Sequence, residues 1–394
     1  MAARSLPLKL LVLLLGVMAL LVLLALSPLP SIPSWGWDVA VYRAGSKALL
    51  NGENPYLPEN IPRFADGADL ATIPYYVYSP AFAVLFAPLA LLPPWLTIRV
   101  WFILNLVLYL ASGILITRLL NWRLSQRALL ALTLGLALYP PLRTQMVLGQ
   151  SAIVMLFILT LSIALLRRGR PLWAGAVLSL GFFKPHLVLL LPFFAIRRQW
   201  RYLTGFVVGL AVTTLPFLGW VDDWLRALVA ARAVNVGFGC LPFSSLNMLL
   251  RCYQEGSGLS MAIVWGTLGA IAIALILAVL PAASPADYLF DLQLALVVTV
   301  SMLLLDNVRV ADLVVLVFAF LVAISGLRGH PKSCRRQVLI GMVMLAYSTP
   351  YVAMLRGAGL FWTMPVWYAV GPPALALALG LRIHLASPAT GTGA

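Results

Sequence analysis

Charged side chains are scarce in this sequence: Asp, Glu, Lys and Arg make up 10% of 394 residues, where a soluble globular chain carries about 25%. That shortage excludes a water-soluble fold. The 62% hydrophobic content falls in blocks of roughly 15–22 residues, each long enough to cross a hydrocarbon core of about 30 Å as a helix. Because the blocks are continuous and Leu-rich, without the alternation of barrel strands, a transmembrane β-barrel is excluded too. Cysteine is limited to Cys240, Cys252 and Cys334, too few for a disulfide scaffold and without the C-x-x-C spacing of zinc or redox sites. They read as structural thiols, and whether Cys240 and Cys252 pair stays open. No G-x-x-x-x-G-K-[ST] or strand-anchored G-x-G-x-x-G occurs, and no polar stretch is large enough for a cytoplasmic nucleotide domain, so ATP-driven transport is not expected. No His and carboxylate constellation has metal spacing, so neither a metal nor another cofactor is expected.

What the chain does hold is an excess of cations, 27 Lys and Arg against 12 Asp and Glu for a net charge of +15. Their placement argues for a membrane face and against a nucleic-acid partner. Arg4 and Lys9 precede the first apolar block, and Pro28 and Pro30 stand where a cleavage site would need small residues, so residues 10–29 read as an uncleaved first helix. With the N-terminus cytoplasmic, the inside loops carry Arg118, Arg123 and Arg127, then Arg167, Arg168 and Arg170, then Arg197, Arg198 and Arg201, then Arg328, Lys332, Arg335 and Arg336, as the positive-inside rule demands. Asp287 and Asp291 are the carboxylates on that side; the other acidic residues fall outside. The spans expected are 10–29, 95–119, 128–141, 150–166, 171–184, 186–197, 202–220, 259–280, 288–305, 313–327, 337–354 and 365–385. This is a single all-α polytopic membrane domain of about twelve helices in the plasma (inner) membrane, both termini cytoplasmic.

Two outer segments interrupt the spans, residues 31–94 and 221–258. The first opens with the longest polar segment of the chain, nearly fifty residues from Ser31 to about Tyr78 and rich in Trp, Tyr, Asp, Asn and Pro, a composition of function more than of linkage. Within it Val39–Leu50 reads as an amphipathic surface helix, Asp38 its N-cap, Gly52 near its C-cap, Arg43 and Lys47 four apart. Residues 79–93 are apolar but short, a second interfacial or re-entrant helix. Pro171–Lys184 and Leu187–Ile196 reach only about 21 Å and about 15 Å. They predict a hairpin whose tip, Lys184-Pro185-His186, stops below the outer surface, where an ionisable group marks a functional site by default. Carboxylates, amides, aromatics and a buried cation gathered on one face suit a carbohydrate and a phosphate, which makes an outer-facing transferase the leading idea.

The residues also resemble a known family. Trp37-Asp38-Val39-x-Val41-Tyr42-x-Ala44, Asn51-Gly52-Glu53-Asn54-Pro55-Tyr56, Tyr78-Ser79-Pro80-Ala81 and Pro88-Leu89-Ala90-Leu91-Leu92-Pro93 look like glycosyltransferase family 87. Gly149-Gln150-Ser151, Gly181-Phe182-Phe183-Lys184-Pro185, Arg197-Arg198-x-Trp200-Arg201 and Ser245-Leu246-Asn247 fit the same pattern. The resemblance implies a C-type glycosyltransferase fold with amphipathic helices in the first outer loop. It also implies transfer of a hexose, mannose foremost, from a polyprenyl-phosphate carrier to a glycolipid or envelope glycan acceptor, with an acidic residue of that loop as base. Asp38 is then the general base, and Lys184, His186 and Arg309 the candidates for the carrier phosphate. Tyr42, Asn54, Tyr56, Gln150, Asn247 and Asp312 are the candidates for substrate contacts. Near Asp312 this chain has Leu305-Asp306-Asn307 where relatives often place a Pro or His, so no histidine role carries over.

Each assignment has a plainer alternative. Asp38 as a helix cap contributes about 1 kcal/mol and no chemistry. Lys184 can snorkel to headgroups without a ligand. Asp306, Arg309 and Asp312 can neutralise one another. Tyr42 can be an interfacial anchor, Asn54-Pro55 a turn, and Asn247 a loop residue satisfying backbone. At the level of the whole chain the rivals are a secondary transporter, which would show paired repeats that are not found, a non-catalytic lipid-binding or glycan-binding membrane protein, and another C-type transferase or ligase.

Overall fold

The computed structural model describes residues 36–66, 75–123, 125, 132–133, 135–137, 139–184, 187–188, 190–237, 283–304 and 310–328. Among them every regular element is helical. The expected spans 10–29, 259–280, 337–354 and 365–385 lie outside the described residues. So do His186, Asn247 and Arg309.

Helix α1 is Trp37–Leu50, and its N-cap is Gly36, not Asp38 as the sequence predicts. Gly36 sits in the left-handed region at φ 73° and no side chain caps the helix. Its N–H donates to Val147 O at 2.9 Å, which starts the helix earlier and leaves the Asp38 carboxylate out of the cap. Nor does α1 lie free on a surface: Val39, Val41, Tyr42, Ala44 and Ala48 are all buried. It packs on α2, Pro80–Ala90, through edge-on contacts of Tyr42 with Phe82 at 4.8 Å and Phe86 at 5.5 Å. Arg43 donates from Nη2 to Leu92 O at 2.9 Å and pairs with Asp66, tying the middle and the end of the first outer segment to this helix.

Helix α3, Pro94–Leu119, is 26 residues long and leaves Ile103, Leu104, Val107 and Ile114 exposed. It and the helical stretch Trp200–Ala231 are long and apolar enough to cross a membrane. A short helix α4, Pro140–Leu148, then appears where the sequence predicts the end of a span and a loop. Proline at its first position has a preset φ and no N–H to lose. Helix α5 is Ala152–Arg167, and α6, Pro171–Leu180, continues as a 3₁₀ turn, Gly181–Phe183. Helices α7, Leu190–Ile196, and α8, Trp200–Thr214, return alongside. Helix α6 crosses α8 almost backbone to backbone: a Cβ on Gly175 would overlap Tyr202 O, and one on Gly205 would overlap Leu172 O. Small residues permit this approach where lipid offers no hydrophobic drive between helices.

The segment expected to open the second outer loop is helical, a 3₁₀ turn Leu215–Trp220 leading into α9, Val221–Gly237. Asp222 and Asp223 in its first turn favour the helix dipole. Asn54 Nδ2 donates to Asp223 Oδ2 at 2.7 Å, and Trp224 Nε1 to Val77 O at 3.1 Å, so the start of α9 is fastened to the first loop. Helix α10 is Tyr288–Leu304, and a 3₁₀ turn Val310–Val315 precedes α11, Leu316–Arg328.

Helix α5 has a buried polar cluster at either end. At its C-terminus Arg167 donates to Asp291 Oδ2 at 2.5 Å, to Pro285 O at 3.0 Å and to Leu119 O. That joins the last residue of α3 to the first turn of α10. The other cluster begins at Gln150, about 24 Å away along the helix axis.

Candidate active site

Three chain turns meet at this second end. The N-terminus of α1 brings Asp38. The C-terminus of α4 turns through Gly149 at φ 71°, and a Cβ there would overlap Val39 Cγ2, so glycine allows α4 and α1 to touch. Trp101 of α3 donates Nε1 to Gly149 O at 2.8 Å. Gln150 follows, its N–H donating to Gln145 O at 3.0 Å and its carbonyl accepting from Gln145 Nε2. Lys184 leaves the 3₁₀ turn after α6 in extended conformation, φ −124° and ψ 127°. Phe183 before it is held on Phe82, ring centroids 4.6 Å apart. Asp312 sits on the 3₁₀ turn before α11.

These side chains form one line. Gln150 Nε2 donates to Asp38 Oδ2 at 2.8 Å, and Lys184 Nζ donates to Gln150 Oε1 at 2.7 Å and to Asp312 Oδ1 at 2.6 Å. A carboxylate only accepts and an ammonium only donates, so the amide has one orientation that satisfies both neighbours. Tyr78 OH adds a long donation to Asp38 Oδ1 at 3.4 Å and accepts from Tyr42 OH at 3.2 Å. Burial, with repulsion from Tyr78 and Asp38 behind it, pushes the Tyr42 hydroxyl well above the usual tyrosine range, so Tyr42 stays a proton donor. Asp38 and Lys184 are partly exposed, whereas Gln150 and Asp312 are 2% and 1% exposed. The line therefore has two reachable members, one carboxylate and one cation, with its amide and its second carboxylate enclosed.

The residues expected to contact substrate divide accordingly. Tyr42 faces the same way as Asp38, as their spacing predicts, but is wholly buried and reaches it through Tyr78. Tyr56 is 2% exposed and donates to Tyr78 O at 2.9 Å. Asn54 accepts from Tyr56 N–H at 3.0 Å and donates to Asp223, the Asx-type turn that was its alternative. These three hold the loop, and their polar groups are satisfied within the fold. Asp312 pairs with Lys184, a partner more than a hundred residues distant, while Asp306 and Arg309, the other members of the expected cluster, lie outside the described residues. The sequence reading missed Tyr78, Gln145 and Trp101 as parts of the site. Tyr78 carried a signal, since it opens the family-like Tyr78-Ser79-Pro80-Ala81 motif.

Among the described residues the chain is all helical, two helical stretches are long and apolar enough to cross a membrane, and one amide bridges a carboxylate and a cation, an arrangement that suits group transfer. The model of glycosyltransferase family 87 matches residues 76–306. More than half of the chain is covered, and it belongs to that family and is a glycosyltransferase. The match contains Tyr78, Gln150 and Lys184; Asp38 and Asp312 lie beyond its two ends. Neither the curated proteins nor the solved structures include a match.

Proposed function

We propose that the enzyme moves a hexose, mannose foremost, from a polyprenyl-phosphate carrier to a glycolipid or envelope glycan acceptor at the outer face of the membrane. The observation that carries this reading is the single amide joining a partly exposed Asp38 to a partly exposed Lys184. Transfer requires those two groups and little else. The acceptor hydroxyl oxygen attacks the anomeric carbon while its proton passes to the Asp38 carboxylate. The bond from that carbon to the phosphate oxygen breaks, and the electron pair leaves with the polyprenyl phosphate, whose growing charge Lys184 stabilises. Charge and protons balance with the chain's own base and cation, so the reading calls for no metal or other cofactor. A single displacement inverts the anomeric configuration.

His186 and Arg309 remain proposed companions of Lys184 on the phosphate, and Asn247 a proposed sugar contact. A second cation has a clear purpose, since Asp38, Lys184 and Asp312 sum to one negative charge and an anionic donor is met more favourably by a site of the opposite sign. We also propose the C-type fold and the multi-pass arrangement with Asp38 outside. This agrees with Asn54 and Asp223, both assigned to outer segments, bonding each other, and with Arg167 and Asp291, both assigned inside, doing the same.

The test is turnover of purified protein in detergent, read as polyprenyl phosphate released from polyprenyl-phosphate mannose in the presence of a total lipid extract from the producing cells. Asp38→Asn keeps shape and removes basicity, and is expected to abolish release while the protein still accumulates. Near wild-type turnover in that variant removes Asp38 as the base. Mass spectrometry of envelope glycolipids from a deletion strain then identifies the step through the shortened glycan that accumulates.

A further inference from the structure

Gln150 was expected to hold a sugar hydroxyl, but its surroundings give it a different task. Its side chain is enclosed, with its amide nitrogen on Asp38 and its amide oxygen on Lys184. Its backbone is as firmly fixed: N–H and C=O both engage Gln145, and the preceding carbonyl takes the Trp101 indole N–H. A side chain anchored at both ends of its amide and along its main chain is a spacer, and rigid spacing is what an in-line displacement needs from its base and its leaving-group cation.

We infer that Gln150 is the positioning residue of this enzyme, its one amide setting the direction of the Asp38 carboxylate and its separation from Lys184, so that base and cation address the two sides of one anomeric carbon. This rests on the reading of Asp38 and Lys184 given above. The amide has two effects. It orients the carboxylate, and by donating to it favours the ionised form that can accept a proton. Deleting the donor therefore makes Asp38 easier to protonate, and the acid limb of the rate profile moves to higher pH. Among the described residues the titratable groups around Asp38 are Tyr78 in the loop before α2, Tyr42 on α1, and Lys184 and Asp312 across the amide. Tyr42 titrates far above the acid range, and all four are present in wild type and variant alike, so the displacement between the two limbs isolates the amide.

The experiment compares wild type, Gln150→Met and Gln150→Glu as detergent-solubilised full-length protein, with polyprenyl-phosphate mannose as probe and kcat and KM resolved across pH. Gln150→Met keeps length and loses both hydrogen bonds. It is expected to lower kcat by about tenfold, as removing a hydrogen bond to a charged group does. Donor KM should stay within about twofold, and the acid limb of kcat/KM should move up by about half a pH unit or more. Gln150→Glu keeps the shape and the acceptor for Lys184 but sets a carboxylate against Asp38, and should move the limb further in the same direction; it reads the same quantity should the methionine variant fail to accumulate. An acid limb that stays in place in whichever variant folds overturns the inference, as does a rise in donor KM with kcat unchanged, which would make Gln150 a sugar contact. The outcome is separable from the fate of the base itself: inactive Asp38→Asn with an unmoved limb in the Gln150 variants rejects the spacer alone, while active Asp38→Asn rejects the reading beneath it.

Discussion

Lys184 shows why the obvious substitution is the wrong one. Its ammonium is paired with Asp312, a carboxylate 1% exposed, so Lys184→Met does more than remove a phosphate ligand. It takes the Lys184 ion pair away from a buried carboxylate, which costs about 3–5 kcal/mol, and loss of turnover would then be confused with loss of fold. The double variant Lys184→Met with Asp312→Asn removes the pair together. We expect the single substitution to lower Tm in detergent clearly, the double to recover most of that loss, and both to turn over at about a tenth of wild type or less, because one charge-stabilising donor contributes about 1.4 kcal/mol or more at the transition state. Full turnover in the refolded double variant would dismiss Lys184 from the chemistry. Lys184→Arg keeps the charge but replaces a point donor by a planar fork, and should fall between these and wild type.

At the scale of elements, the site depends on two left-handed glycines, Gly36 at φ 73° and Gly149 at φ 71°, where the start of α1 meets the end of α4. Gly149→Ala adds a methyl that overlaps Val39 and places a Cβ in a region that L residues avoid. We expect it to cost about 1–3 kcal/mol of stability and, by shifting Gln150 on its backbone, to depress kcat more than donor KM. Comparable Tm for the variant and wild type would show that the junction yields. Gly149-Gln150-Ser151 was legible in the sequence as a motif, and so were the bounds of α3 and α5 to within two residues and the start of α6, because continuous apolar runs punctuated by Pro and Arg fix a helix from local information, whereas α6 ends at Leu180 in a 3₁₀ turn where the sequence predicts a span to Lys184. The role of Asp38 was less legible: cap and base compete on local grounds, and the N-cap is moved to Gly36 by its N–H donating to the carbonyl of Val147, more than a hundred positions away. Helix α4 and the pairing of Lys184 with Asp312 were not legible for the same reason. Both are decided by packing between distant parts of the chain, and hydropathy of a single segment carries no trace of its partner.

For the molecule as a whole, the two polar ends of α5 have opposite expected sides, and cysteine accessibility decides between orientations. In a variant with the three native cysteines replaced, a cysteine at the exposed Glu59 is expected to react with an impermeant maleimide added to intact cells, and one at the exposed Arg168 only after lysis. The reverse pattern would put Asp38 in the cytoplasm. Those same ends have a mechanical consequence. Arg167 holds α3, α5 and α10 together at one level, Gln150 fastens α1, α4 and the Lys184 turn at the other, and 16 residues of rigid helix separate them. On the proposed topology, with those ends on opposite sides, the helix between them sets a hydrophobic height of about 24 Å. On that topology the bilayer is expected to adapt to the enzyme and not the reverse. In vesicles of phosphatidylcholines of increasing chain length, turnover should peak where the hydrocarbon thickness is nearest that height and decline in thicker membranes, whereas a protein able to tilt or slide its helices would give a flat response.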